Sequence, residues 1–189
     1  MGRAVFAKRG YEAASVEEIA ARAEVSKPVV YEHFGGKEGV YAVVVDREMD
    51  FVVKSIAEAI SSGTPRERLE AAALAFLIYV KDHPDGFAVL SHDAPVTMAR
   101  GGMSGMLNDV AERVGDIFAK AFRQAGYDQK TAPIYAHALI GMVTFVGQWW
   151  TESRRLSVER VASHIAALAW MGLRHLPHEP APVGGKGRR

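Results

Sequence analysis

The chain has 189 residues, 49% hydrophobic and 24% charged, with a formal net charge of +1. That is the make-up of an ordinary globular protein long enough to bury a sizeable core. The lack of cysteine excludes disulfides, thiolate metal sites and cysteine nucleophiles and fits a cytoplasmic setting. The start does not read as a basic-then-apolar leader, and the longest apolar run, residues 138–147, is too short to span a membrane.

Apolar residues recur at helical spacing nearly throughout, and no stretch alternates as a strand would, so the chain is expected to be all-α with about nine helices. Residues 2–9 predict a short helix ended near Gly10. Ser15 predicts an N-cap, with Glu17 and Glu18 at the positive end of the dipole of a helix carrying Val16, Ile19, Ala20 and Ala23 on one face. The three residues Glu24-Val25-Ser26 predict a turn, with Ser26 capping a second short helix that tolerates Pro28 in its first turn. Gly35-Gly36 ends that helix, and a long one is expected over about 37–61.

Thr64-Pro65-Arg66-Glu67 combines an N-cap, a first-turn proline and a capping-box glutamate. The helix it starts carries Leu69, Ala73, Phe76, Leu77 and Val80 on one face and closes at His83-Pro84. A short helix is expected over about 87–92 and a loop or frayed helix start over 100–105. Three long helices follow, over about 106–124, 131–153 and 157–176. The tail 177–189, rich in Pro and Gly, is expected to be disordered.

The two short helices joined by three residues have the spacing of a helix-turn-helix. The first offers an apolar bracing face. Val25 suits a buried anchor in the turn, Val30 and Phe34 suit an inner face, and Lys27, Val29, Tyr31, Glu32 and His33 would face outward. Acidic and basic residues balance within 1–40, so any affinity for nucleic acid must come from where the charges point.

The segment from Phe6 to Val40 resembles the DNA-binding signature of the TetR family in Phe6, Gly10-Tyr11, Ser15-Val16, Ile19-Ala20, Ala23, Val25-Ser26-Lys27, Tyr31, His33-Phe34 and Lys37-Glu38. The resemblance implies a DNA-binding unit over 1–44 and a helical ligand-binding and dimerisation unit over 45–176. It also implies a homodimer on a near-palindromic operator. Tyr31, His33 and Lys37 would contact phosphates, as would Ser15 through a helix N-terminus. Ser26, Lys27 and Val29 stand at the start of the recognition helix, where a lysine can reach guanine acceptors and a valine a thymine methyl. Family members usually have a longer first helix after a basic arm, whereas here Met1–Arg9 must serve for both. Either the natural start lies upstream or minor-groove arm contacts are dispensed with.

Residues 138–147 are apolar on nearly every face, so their helix is expected to be buried on all sides, by a partner on one face and the interior on another. The dimer face is assigned to His137, Gly141, Phe145 and Gln148, with His164, Ala167 and Met171 from the last helix. The interior face is assigned to Ile140, Val143, Thr144 and Gly147. With Phe76, Tyr79, Val80, Phe87, Met103, Met106, Leu107, Val110, Phe118 and Trp150, these would line a pocket for a small hydrophobic effector, a fatty acyl compound being one example. The resemblance implies a repressor released by that effector.

Alternatives are an enzyme and a helical adaptor without DNA binding. The middle helices lack the paired Glu-x-x-His of a diiron bundle, and neither a nucleophile elbow nor a phosphate loop occurs. No enzymatic activity, cofactor or metal is expected.

Overall fold

The N-terminal half is built largely by local signals at the helix ends. The computed structural model describes residues 1–91, 102–153 and 155–180, of which 102–109 in backbone only. The expected pocket side chains Met103, Met106 and Leu107, and residues 181–189 of the tail, lie outside the described residues. Among those described there are nine α-helices, one 3₁₀ turn and no strand.

Helix α1 (Gly2–Ala13) runs past the expected stop at Gly10, which takes φ 72° and ψ 172° and kinks the helix instead of ending it. Helix α2 (Val16–Arg22) is capped by Ser15, whose Oγ accepts from the Glu18 N–H at 3.1 Å. Helix α3 (Lys27–Phe34) ends at Gly35, whose φ of 72° suits a residue without a Cβ. Helix α4 (Lys37–Ala59) is the long connector. Helix α5 (Pro65–Asp82) begins with the expected capping box, both reciprocal bonds of Thr64 and Glu67 being made.

Helix α6 (Pro84–Ser91) starts earlier than expected because proline is well placed in a first turn. Helix α7 (Gly102–Ala125) likewise begins inside the expected loop 100–105. The 3₁₀ turn Gln129–Thr131 leads into α8 (Ala132–Ser153), and Ser157 caps α9 (Val158–Arg174). The tail is not wholly detached. The His178 ring stacks on Tyr127 at 4.3 Å, and the Tyr127 hydroxyl donates to the Leu176 carbonyl at 3.0 Å.

Two apolar clusters hold the helices. In the first, Phe6, Tyr11 and Tyr41 meet edge-on or stacked, and Val5, Ile19, Ala20, Val30, Val40 and Val45 surround them. This cluster continues along α4 into Tyr79, Val80, Phe87, Val89 and Leu90 of α5 and α6. The Tyr41 hydroxyl donates to the Val89 carbonyl at 3.1 Å, so the phenol is satisfied at full burial. The second cluster joins Ala73 and Leu77 of α5, Trp150 of α8, and Val158, Val161, Ala162 and Ile165 of α9. No helix of the described residues is long and apolar enough to cross a membrane.

Candidate nucleic-acid interface

Helices α2 and α3 meet through a tight turn. The Val25 N–H donates to the Ala20 carbonyl at 3.0 Å and Glu24 N–H to Ala21 at 3.2 Å, while Glu24 takes φ 56°, a left-handed conformation costly for a residue with a Cβ. Behind α3, the start of α4 comes so close that a Cβ on Gly39 would stand 1.7 Å from the Phe34 carbonyl oxygen. The orientation of α3 is thus fixed from both ends.

Its outward face carries Lys27, Tyr31 and Glu32, with His33 also exposed and Tyr31 48% accessible despite its size. Val30 is buried and braces the helix as expected. Val25 and Phe34, expected inside, are each about two-fifths exposed. They line a half-open apolar groove of about 400 Å³ between α3 and α4, alongside Val43 and Val44. Val29 faces this groove, half-buried, and does not stand with Lys27 and Tyr31 on the outer face.

The polar side chains are not equally available. Ser15 is engaged as a helix cap, whereas Ser26 holds the N-cap backbone position without its hydroxyl making the expected capping bond. The Lys27 ammonium is hydrogen-bonded to the Glu17 carboxylate of α2, which lowers the carboxyl's pKa below its ordinary value, and it lies over the Tyr31 ring at 5.8 Å. Lys37 donates to the Tyr11 and Glu12 carbonyls at 2.9 and 3.1 Å and caps the Tyr11 ring at 4.5 Å. Its ammonium closes the carbonyl end of α1, where a cation suits the helix dipole. Glu18 receives Arg9 and Arg22 at 3.4 Å each and ties α1 to α2.

On α8 and α9, all seven residues assigned to a dimer face are exposed in the single chain: His137, Gly141, Phe145, Gln148, His164, Ala167 and Met171. Ile134, Trp149 and Leu168 extend that face with exposed apolar area. Within one chain α8 is thus exposed along the face where a partner is expected.

The residues assigned to a pocket divide into groups. Phe76 meets Phe87 edge-on at 6.1 Å, and a Cβ on Gly147 would lie 3.1 Å from the Phe76 ring. Val80 is fully buried beside them, and Ile140, Val143, Thr144 and Val110 are half-buried. Thr144 spends its hydroxyl on the Ile140 carbonyl at 2.7 Å. Phe118 joins an aromatic cluster with Phe122, which also meets Tyr127 and Tyr135. Trp150 is held in the second core by its Nε1 donating to the Leu156 carbonyl at 2.9 Å. Tyr79 is buried with its hydroxyl donating to Glu48 at 3.0 Å, and burial pushes its pKa up, so the phenol stays protonated. Gly39 and Glu48 carried no signal in the spacing of the sequence, and Glu17 read only as a first-turn acid, because each acts across helices.

Among the described residues no group of three or more histidine or acidic side chains could hold a metal. An exposed recognition helix braced by two others, on a larger helical body, defines a helix-turn-helix DNA-binding regulator. Known proteins give the family. The family model described as bacterial regulatory proteins, tetR family, matches residues 2–44, and that described as Tetracyclin repressor-like, C-terminal domain, matches residues 55–183. The chain is 31% identical over 176 residues to the HTH-type transcriptional activator FasR of Mycolicibacterium smegmatis, covering 92% of this chain and 80% of the relative. The fold matches that of the fatty acid degradation regulator FadR from Bacillus halodurans, with a TM-score of 0.75, 18% identity and coverage of 92% of this chain and 96% of that one. It also matches AibR, solved with isovaleryl coenzyme A and operator DNA, with a TM-score of 0.66, 22% identity and coverage of 88% and 92%. The chain belongs to the TetR family of transcriptional regulators and is a DNA-binding protein.

Proposed function

We propose that this protein is a cytoplasmic homodimer that occupies a near-palindromic operator and leaves it when a small hydrophobic effector, a fatty acyl thioester, binds between its middle helices. Residues 1–44 form the DNA-binding unit and 45–176 the effector and dimer unit. The observation that carries the reading is the face of α3: Lys27 and Tyr31 are exposed on a helix fixed from behind by Val30 and by the close start of α4.

Lys27 reads base edges once it exchanges Glu17 for a guanine acceptor, while Tyr31 and His33 hold phosphates and Ser26 and Ser15 sit at helix N-termini near the backbone. Val29 contributes through its exposed part. Lys37 acts on DNA mainly by fixing α1, given its two carbonyl partners. The exposed apolar stripe of α8 and α9 supports a two-fold dimer, whose recognition helices must stand about 34–36 Å apart to meet successive major grooves.

The acyl class is favoured by the apolar character of the residues assigned to a pocket, Phe76, Phe87, Val80, Val143 and Gly147, and by the acyl thioester bound to AibR. Acyl binding shifts the population toward an arrangement whose helices miss that spacing. Such a protein represses where its operator overlaps a promoter and activates where it recruits polymerase from upstream, which accommodates both the repressor reading and the activator FasR.

The test is binding to the promoter duplex beside its own gene at two salt concentrations, with and without oleoyl coenzyme A. Affinity should fall steeply with salt and at least fivefold with the thioester, within the usual range of allosteric coupling. Binding to no duplex at low salt would defeat the DNA reading. Salt-dependent binding untouched by the thioester would defeat the effector class alone.

A further inference from the structure

One carboxylate is placed where four helices meet. Glu48 lies midway along α4 and is the one charged residue that is buried among the described residues. Its Oε1 accepts from Arg3 Nη1 of α1 at 2.9 Å, and its Oε2 accepts from the Tyr79 hydroxyl of α5 at 3.0 Å. From α6, Gly86 packs so tightly on this pair that a Cβ would stand 2.1 Å from Glu48 Oε2 and 2.6 Å from the Tyr79 oxygen. The next residue on α6 is Phe87, whose ring meets Phe76. A shift of α6 toward α4 presses on Glu48, because Gly86 lies directly against the carboxylate. Arg3 ties the same carboxylate to α1, which also packs directly on α6, α4 and α2.

We propose that Glu48 is a positioning residue, a buried polar junction through which the placement of α6 sets the placement of α1 and so of the DNA-binding helices. Packed interfaces of this kind have discrete arrangements instead of deforming smoothly. The carboxylate is largely buried but borders the α3–α4 groove, and its Arg3 partner is 43% exposed, so the junction acts through the joint geometry of Arg3, Tyr79 and Gly86 more than through the burial of an ion pair. The inference rests on the proposed DNA-binding and effector reading for its consequence, but the junction itself is testable without DNA.

The experiment uses the full chain in two arms. In the first, hydrogen exchange is measured on the unliganded protein carrying Tyr79→Phe, which removes one hydroxyl and keeps the ring, or Glu48→Gln. Exchange should rise together in peptides of α1 and of α6, several-fold above wild type. A rise confined to α4 and α5 would overturn the proposal. In the second, Gly86→Ala is assayed on the promoter duplex. Affinity should change at least fivefold, although residue 86 is far along the chain from α3. Adding Glu48→Ala and Tyr79→Phe together, which removes both oxygens the new methyl would meet, should bring affinity back to that of the protein carrying only those two changes. A Gly86→Ala protein of unchanged affinity, or one unaltered by the added substitutions, would overturn the proposal. If the wild-type protein binds no duplex, the DNA reading fails by itself, and the exchange arm still decides the junction.

Discussion

The exposed face of α8 and α9 makes a quantitative demand. Phe145 is 75% exposed in the single chain and Leu168 67%. A phenylalanine presents about 150–250 Å², so roughly 150 Å² of Phe145 stands open to a partner. At about 25 cal/mol per Å² its complete burial contributes about 4 kcal/mol per copy. Two-fold symmetry counts the residue twice, and incomplete cover reduces the total to roughly 4 kcal/mol per dimer. Phe145→Glu removes this and places two carboxylates in an apolar contact. Dimerisation should therefore weaken by about a thousandfold, at 1.4 kcal/mol per tenfold. The monomer fold should persist, because Phe145 packs on little within its own chain. Sedimentation equilibrium at micromolar concentration should show a wild-type dimer and a Phe145→Glu monomer with unchanged far-ultraviolet helix signal. The duplex affinity of the variant should fall with its dimerisation. A variant that remains dimeric, or a monomeric wild type, would refute the assignment of this face.

Other outcomes follow from the recognition unit. Tyr31→Ala should weaken binding to all duplexes alike, whereas Lys27→Ala should flatten the preference at one base pair by about 1–3 kcal/mol, as a set of single-base operator variants would show. Glu24→Gly should raise stability by about 1 kcal/mol by relieving the left-handed φ, read as a rise in Tm of about 2–4 °C for a chain of this length. Gly39→Ala should lower stability by about 1–3 kcal/mol in a denaturant titration and should abolish duplex binding, since its methyl would strike the Phe34 carbonyl and swing α3 off its brace.

The parts of the molecule legible in the sequence were those fixed by local chemistry. Ser15, Thr64 with Glu67, and Gly35 mark helix ends through bonds or dihedrals confined to a few neighbours, and the helices formed where these signals stand. The outward set Lys27, Tyr31 and His33 also follows from helical spacing once Val30 is taken as the buried side. What spacing could not supply was competition between distant groups. Lys37 has the reach of a phosphate contact, yet the carbonyls that hold it lie 26 and 25 residues away. Tyr79 sits on an apolar helix face like a pocket residue, and its hydroxyl instead finds Glu48, 31 residues distant. Phe34 and Val25 looked inward by periodicity, but the cover over them is incomplete, so they line a groove. Gly10 marks a kink instead of an end because a single left-handed residue can redirect a helix whose following turn is still held by Phe6, Tyr11 and Tyr41.

The central claim is that two copies of α3 are held at the spacing of successive major grooves and that the effector changes that spacing. The chain has no cysteine, so Glu32→Cys, on the exposed face of α3, gives one spin label per protomer. Double electron–electron resonance on the operator complex should give one distance distribution centred near about 34–36 Å, and oleoyl coenzyme A should shift and broaden it as the duplex is released. A distance far from one helical turn in the DNA-bound state, or no dipolar coupling between labels, would contradict the account.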